Sequence, residues 1–181
     1  MARTSDPDQL EGRIRALQIV LGAMVLGVLF FLAVAVLLRQ AGNMPPAPDR
    51  PVVTYAALVY AVAALVASAV VPGAIVRAGR RALARSLGPP VANRLPTSGT
   101  AGETAKLAGL LQTRTIIRAA FVEAAAFLFL FAYLLDDQPV CLLGAGVFLV
   151  GLVWQVPTQA WVEIWIEDQR QLLDQERALM A

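Results

Sequence analysis

Ile116-Ile-Arg-Ala-Ala-Phe-Val-Glu-Ala-Ala-Ala-Phe-Leu-Phe-Leu-Phe-Ala-Tyr-Leu-Leu-Asp136 is the stretch whose reading decides the fold. Between Arg118 and Asp136 the one acidic side chain is Glu123, and its neighbours are small or apolar. At about 1.5 Å per residue this length makes roughly 27 Å of helix, close to the ~30 Å hydrocarbon thickness of a bilayer. The stretch therefore reads as a transmembrane helix, with Glu123 about 7 to 8 Å deeper than Arg118. A carboxyl at that depth is costly to ionise, which makes Glu123 the first candidate for a functional site.

Working back toward the N-terminus, Thr100-x-x-Glu103 has the spacing of a capping box. From Glu103 to Leu135 there is no proline and only Gly109, so a single long helix is predicted to run from this cap through the apolar stretch. At 100° per residue Gln112, Ile116, Ala119, Glu123, Ala126, Leu130 and Leu134 share one face. Arg114 and Arg118 point the opposite way, so Glu123 has no counter-charge on its own helix.

The whole chain repeats this pattern. Its 181 residues are 58% apolar, with a mean hydropathy of +0.65, above the roughly 45–50% apolar content of soluble domains. Four apolar runs are predicted as spans, at about 17–38, 52–76, 116–135 and 140–160, and one small bundle accounts for the full length, 1–181. The predicted fold is an all-α membrane protein, a four-helix transmembrane bundle. Of the 15 basic residues only Arg39, Arg50 and Arg118 lie outside the N-terminus, the 77–115 loop and the 161–181 tail, and Arg118 stands at the loop's end of the third span. The positive-inside rule puts those three segments in the cytoplasm, so the expected topology is N-in/C-in, multi-pass in the cell (inner) membrane.

The segments between and within the spans supply further expectations. Residues 39–51 hold Pro45, Pro46, Pro48 and Pro51 and form a short external loop. A stripe of Ala57, Ala61, Ala64 and Ser68 suits close packing of the second span, as Ala23-x-x-x-Gly27 does in the first and Gly144, Gly146 and Gly151 do in the fourth. Pro72-Gly73 is expected to bend the second span near its inner end. Beyond it, Arg77, Arg80 or Arg81, and Arg85 line one stripe of a basic cytoplasmic helix, where they would either set topology or meet anionic lipid headgroups. Nucleic acid is not expected, because no aromatic or base-reading motif accompanies the arginines. Asp136-Asp-Gln-Pro139 reads as a tight external turn. Trp154, Trp161 and Trp165 read as an aromatic belt where the fourth span leaves the bilayer. The acidic residues after it predict an interfacial C-terminal helix that pairs with the basic loop.

Composition also excludes chemistry. The chain has no histidine and one cysteine, Cys141. It therefore has no bis-His haem ligation, no His-based zinc site, no His general base and no C-x-x-C exchange; Cys141 reads as a small core hydrophobe. No cofactor is expected. Counting depth along each span places Gln155 level with Glu123 and Ser68 somewhat deeper, so these three residues form the candidate proton or ion site.

Phe121-Val-Glu-Ala-Ala-Ala-Phe127, followed by an apolar run, resembles the ion-binding outer helix of rotary ATP synthase c-subunits. That resemblance implies a carboxyl that carries a proton. It departs from the family in lacking the glycine-ladder inner helix, in having four spans rather than two, and in placing Glu123 off centre. The four-span plan and Gln112-Thr-Arg-Thr-Ile-Ile-Arg-Ala-Ala120 resemble small four-span bacterial membrane proteins, a likeness that implies no activity. Two function classes follow: a non-enzymatic scaffold or accessory subunit beside another membrane protein or further copies of itself, and a proton- or cation-coupled transporter or channel using Glu123. An enzyme is not expected from a lone carboxyl without a nucleophile–base pair.

Overall fold

The computed structural model describes residues 6–42, 50–87 and 100–178. Among them every element is an α-helix: α1 (Asp6–Gln40), α2 (Val52–Leu87), α3 (Thr100–Asp136), α4 (Pro139–Val153) and α5 (Gln159–Ala178). Three helical stretches are long and apolar enough to cross a membrane, Glu11–Gln40, Val52–Arg85 and Ala105–Asp136, and α4 is a shorter apolar helix. The most apolar window of the third is 44% buried against 17% and 28% in the first two, so α3 is the most enclosed of the three.

The long helix expected from Thr100 is present, although the side chains of the capping box lie outside the described ones. It stops at Asp136. Asp137 takes a left-handed φ of 54°, and Pro139 opens α4 at its first helical positions, where a missing N–H costs no hydrogen bond. Pro72 lies inside α2 without ending it, so the basic segment expected as part of a loop is a continuation of the second helix.

The fourth apolar helix ends earlier than its hydropathy suggests. It stops at Val153 rather than near Ala160. Gln155 and Val156 donate to the carbonyls of Leu152 and Val153 at 3.1 Å each, the i→i−3 pattern that tightens a last turn. Pro157 cannot donate and blocks continuation. Thr158 then starts a new helix, its hydroxyl accepting from the Trp161 N–H at 3.4 Å, as an N-cap residue does. The three tryptophans consequently do not share one helix. Trp154 is exposed, whereas Trp165 is buried in a core and the guanidinium of Arg114 stands 5.9 Å from its ring centre.

The chain packs as two compact units. One comprises Ile19–Val70 and Ile116–Val156. Its segments of α1, α2 and α3 are each about 20 residues, roughly 30 Å long, the length a bilayer core requires. Leu21, Val28 and Ala35 of α1 face inward, as do Ala119, Val122, Ala126 and Leu130 of α3 and Cys141, Ala145, Phe148 and Leu152 of α4. The predicted small-residue stripe of α2, Ala57, Ala61, Ala64 and Ser68, is buried too. Large apolar side chains such as Leu26, Phe30, Val59, Val62, Leu143 and Val147 point outward. In lipid such groups need no cover, and small residues let helix backbones approach instead. Gly144 is one such place, since an added Cβ would stand 2.8 Å from the Phe129 ring. By contrast Gly146 has nothing within 4 Å of such a Cβ, and Ala23 is exposed while Gly27 faces α3.

The other unit comprises the described parts of Met1–Gln18, Val71–Thr115 and Pro157–Ala181. Here α5 buries Val162, Trp165, Ile166 and Leu173, at i, i+3, i+4 and i+11. They meet Ile14 of α1, Val76 and Leu83 of α2, and Leu107 and Leu111 of α3. This one-sided pattern with a charged outer face is what holds an amphipathic helix against a partner surface.

Candidate functional site

Glu123 is half-buried on α3 beside α1. A Cβ added at Gly27 would lie 3.9 Å from its Oε1 and 3.9 Å from the Phe127 ring. No hydrogen bond or ion pair joins Glu123 to any described residue. Both 3.9 Å separations are ordinary van der Waals distances, so Gly27 and Phe127 are immediate neighbours of the carboxyl.

The other two members of the predicted site are engaged locally. Ser68 donates to the Leu65 carbonyl of its own helix at 2.8 Å. Gln155 donates through Nε2 to the Gly151 carbonyl at 3.1 Å, closing the frayed end of α4 with its own amide, and its Oε1 is buried without a hydrogen-bond partner. The register of α3 and α4 explains why Gln155 and Glu123 do not meet. A Cβ added at Gly144 would meet the Phe129 ring and one at Gly151 would stand 3.9 Å from Val122 Cγ1, so Gln155, one turn past Gly151, falls level with about Arg118. Depth counted separately along each span misses this offset, because the two-residue turn at Asp137-Gln138 fixes the pairing directly.

The four arginines of α2 also divide. Arg77, Arg81 and Arg85 are exposed. Arg80 is drawn inward: Nε and Nη2 donate to Glu176 Oε1 at 3.0 and 2.8 Å, and Nη1 donates to Gln169 Oε1 at 2.9 Å. Its side chain is only 12% exposed, and that of Glu176 23%. The pairing expected between basic segment and acidic tail is present here at Arg80.

A second polar cluster, which sequence reading did not single out, joins all four helices of the apolar unit. The buried Asp136 carboxylate accepts from the Thr54 N–H at 2.6 Å and from the Thr54 hydroxyl at 2.9 Å. Thr54 Oγ1 also lies 3.4 Å from Cys141 Sγ. Since α2 begins at Val52, the Thr54 N–H is one of the first donors of that helix, which have no partner within it. Asp136 thus caps a helix other than its own, at the end where the dipole favours negative charge. Beside it Arg39 pairs with Asp137 at 2.8 Å and donates to the Leu134 carbonyl at 3.2 Å. The signal available in the sequence was Thr54 in the first turn after Pro51 together with a paired acid after the third apolar run.

The hydrogen bond from Arg39 holds the Asp137 carboxyl below the usual carboxylate range. A carboxyl depressed in the folded state stabilises fully above its unfolded value, near pH 3.9, and that contribution is lost as pH falls through the lower folded value. The Arg39→Gln variant should therefore lose part of the stability decline below about pH 4 that wild type shows. Denaturant midpoints between pH 3 and 7 test this; identical acid limbs in the two proteins would contradict the pairing.

Among the described residues no three His, Cys, Asp or Glu side chains gather closely enough to hold a metal ion. The fold defines a class, helical and carrying three helices able to span a membrane. No protein family matches the sequence, no curated protein is similar to it, and no solved structure matches it.

Proposed function

We propose that this chain is a non-enzymatic integral membrane protein of four spans, N-in/C-in in the cell membrane, acting as a scaffold or accessory subunit beside another membrane protein or further copies of itself. One observation carries the reading: the polar side chains are spent on joining helices. Asp136 ties α3 to α2, Arg39 ties α1 to the α3–α4 turn, and Arg80 ties α2 to α5. Glu123, Ser68 and Gln155 make no bond with one another. With its 15 residues α4 is about 22 Å long, so the fourth span includes the turn after Val153 and relies on local thinning or on the exposed Trp154 at the interface.

The second reading, a proton- or cation-coupled transporter, is favoured by the partnerless Glu123 beside Gly27. A carboxyl without a charge partner in a membrane helix is either held neutral or exchanges its proton. Proton flux into liposomes separates the two. The scaffold reading expects wild type and Glu123→Gln both to match empty vesicles, with crosslinking in native membranes recovering a second chain. Flux in wild type that the variant lacks would replace it with the transport reading.

A further inference from the structure

Between α2 and α3, within the unit that holds α5, lies an open groove of about 520 Å³. Gly79, Ala82 and Leu83 form its α2 wall, and Lys106, Gly109 and Leu110 its α3 wall. These walls meet closely at Gly79, where an added Cβ would overlap the Leu110 side chain. The lining is apolar apart from Lys106, the one lysine of the chain, and Thr113, whose hydroxyl is turned back to the Gly109 carbonyl at 3.0 Å. A second cation stands close by. Arg13 donates to the Ala105 carbonyl at 2.8 Å, and its Nη1 is 3.9 Å from the position of a Cβ on Gly109.

The described charges of α2 and α3 in this unit are all positive. The described side chains of Val71–Thr115 include Arg77, Arg80, Arg81, Arg85, Lys106 and Arg114 and no acid. The acids of the unit whose side chains are described lie on α1 and α5, and Glu103 of α3 is outside them. An apolar trough with ammonium and guanidinium groups at its edge matches an amphiphile with an anionic head and a hydrocarbon tail. α2 and α3 each run unbroken from the groove into the apolar stretch read as crossing the membrane, Thr113 lying three residues before Ile116. Phospholipid is therefore the amphiphile at hand.

We propose that the groove is a binding site for an anionic membrane phospholipid, its phosphate at Lys106 and Arg13 and one acyl chain along Gly79, Ala82, Leu83 and Leu110. The site requires only that the protein sits in a membrane, and holds under either function above. It differs from a diffuse attraction between headgroups and the exposed arginines in having a chain-binding wall as well as a charge.

Titration of the full-length protein in detergent, read by native mass spectrometry, tests it with phosphatidylglycerol, phosphatidylcholine of the same acyl chains, and glycerol phosphate. Wild type should bind phosphatidylglycerol at least about fivefold more tightly than phosphatidylcholine, the value of roughly one interfacial charge. Lys106→Ala should abolish that preference. Ala82→Phe should weaken binding of both lipids by filling the groove. Both positions are exposed, so both variants should fold, and Arg118→Gln, on an exposed residue outside the groove, should keep the preference. Equal binding of the two lipids, no response to Ala82→Phe, or displacement of the lipid by glycerol phosphate would each overturn the proposal.

Discussion

The Asp136→Ala variant is expected to unfold in detergent with a stability about 2–3 kcal/mol below wild type, among the largest effects of any single polar substitution in the apolar unit. Asp136 is 1% exposed and accepts two hydrogen bonds from one residue, the Thr54 backbone and hydroxyl. Removing it takes away a charged cap at a helix start, worth roughly 0.5–2 kcal/mol, and leaves two buried donors whose desolvation costs about 1–3 kcal/mol each if nothing replaces the acceptor. Cys141 Sγ, 3.4 Å from the Thr54 hydroxyl, is a weak acceptor that softens the loss for one of the two. Asp136→Asn keeps an acceptor and gives up the charge, so about 1 kcal/mol is expected. Thr54→Val removes the hydroxyl and leaves the N–H bond intact, again about 1 kcal/mol. In the double variant Asp136→Ala/Thr54→Val the two effects should couple by about 1 kcal/mol or more, as for groups in direct contact. Additive effects, or equal losses for the alanine and asparagine variants, would show that the carboxylate is not the cap.

The features legible in the sequence were those set by local chemistry. A run without proline from Glu103 onward gave the full extent of α3, and alanine spacing identified the buried stripe of α2. The end of α4 was not legible by hydropathy, because Gln155 and Pro157 interrupt the helix while Val156 and Trp161 keep the average high. Had Pro157-Thr158 been read as a helix-start signal, the separate α5 would have followed. The candidate site failed for a different reason. Glu123 stands out by its isolation, but whether Gln155 meets it depends on how α3 and α4 pair, and one turn of offset along a helix is about 5.4 Å. The Asp136–Thr54 contact joins residues 82 positions apart. No periodicity within either helix carries that information.

Arg80 shows the same limit, since four arginines within one basic stretch are equivalent in sequence and only one turns inward. Arg80→Ala should cost about 3 kcal/mol, whereas Arg77→Ala, Arg81→Ala and Arg85→Ala should each stay within about 0.5 kcal/mol. The difference lies in what each leaves behind. Arg80 makes three hydrogen bonds to α5, and Glu176 already has one buried oxygen without a hydrogen-bond partner, Oε2. Losing the guanidinium strands that half-buried carboxylate and the Gln169 carbonyl oxygen together, and breaking one side of such a pair costs more than the pair contributes. The exposed arginines leave only water-accessible space. Arg80→Lys should recover little, because one ammonium cannot reproduce the planar fork that reaches both acceptors. Protease digestion supplies a local readout: α5 should be cut faster in Arg80→Ala and in Glu176→Gln than in the other three variants. If Arg80→Ala instead leaves stability and cleavage unchanged while weakening association with anionic vesicles as much as the exposed arginines do, then Arg80 serves the membrane surface and not α5.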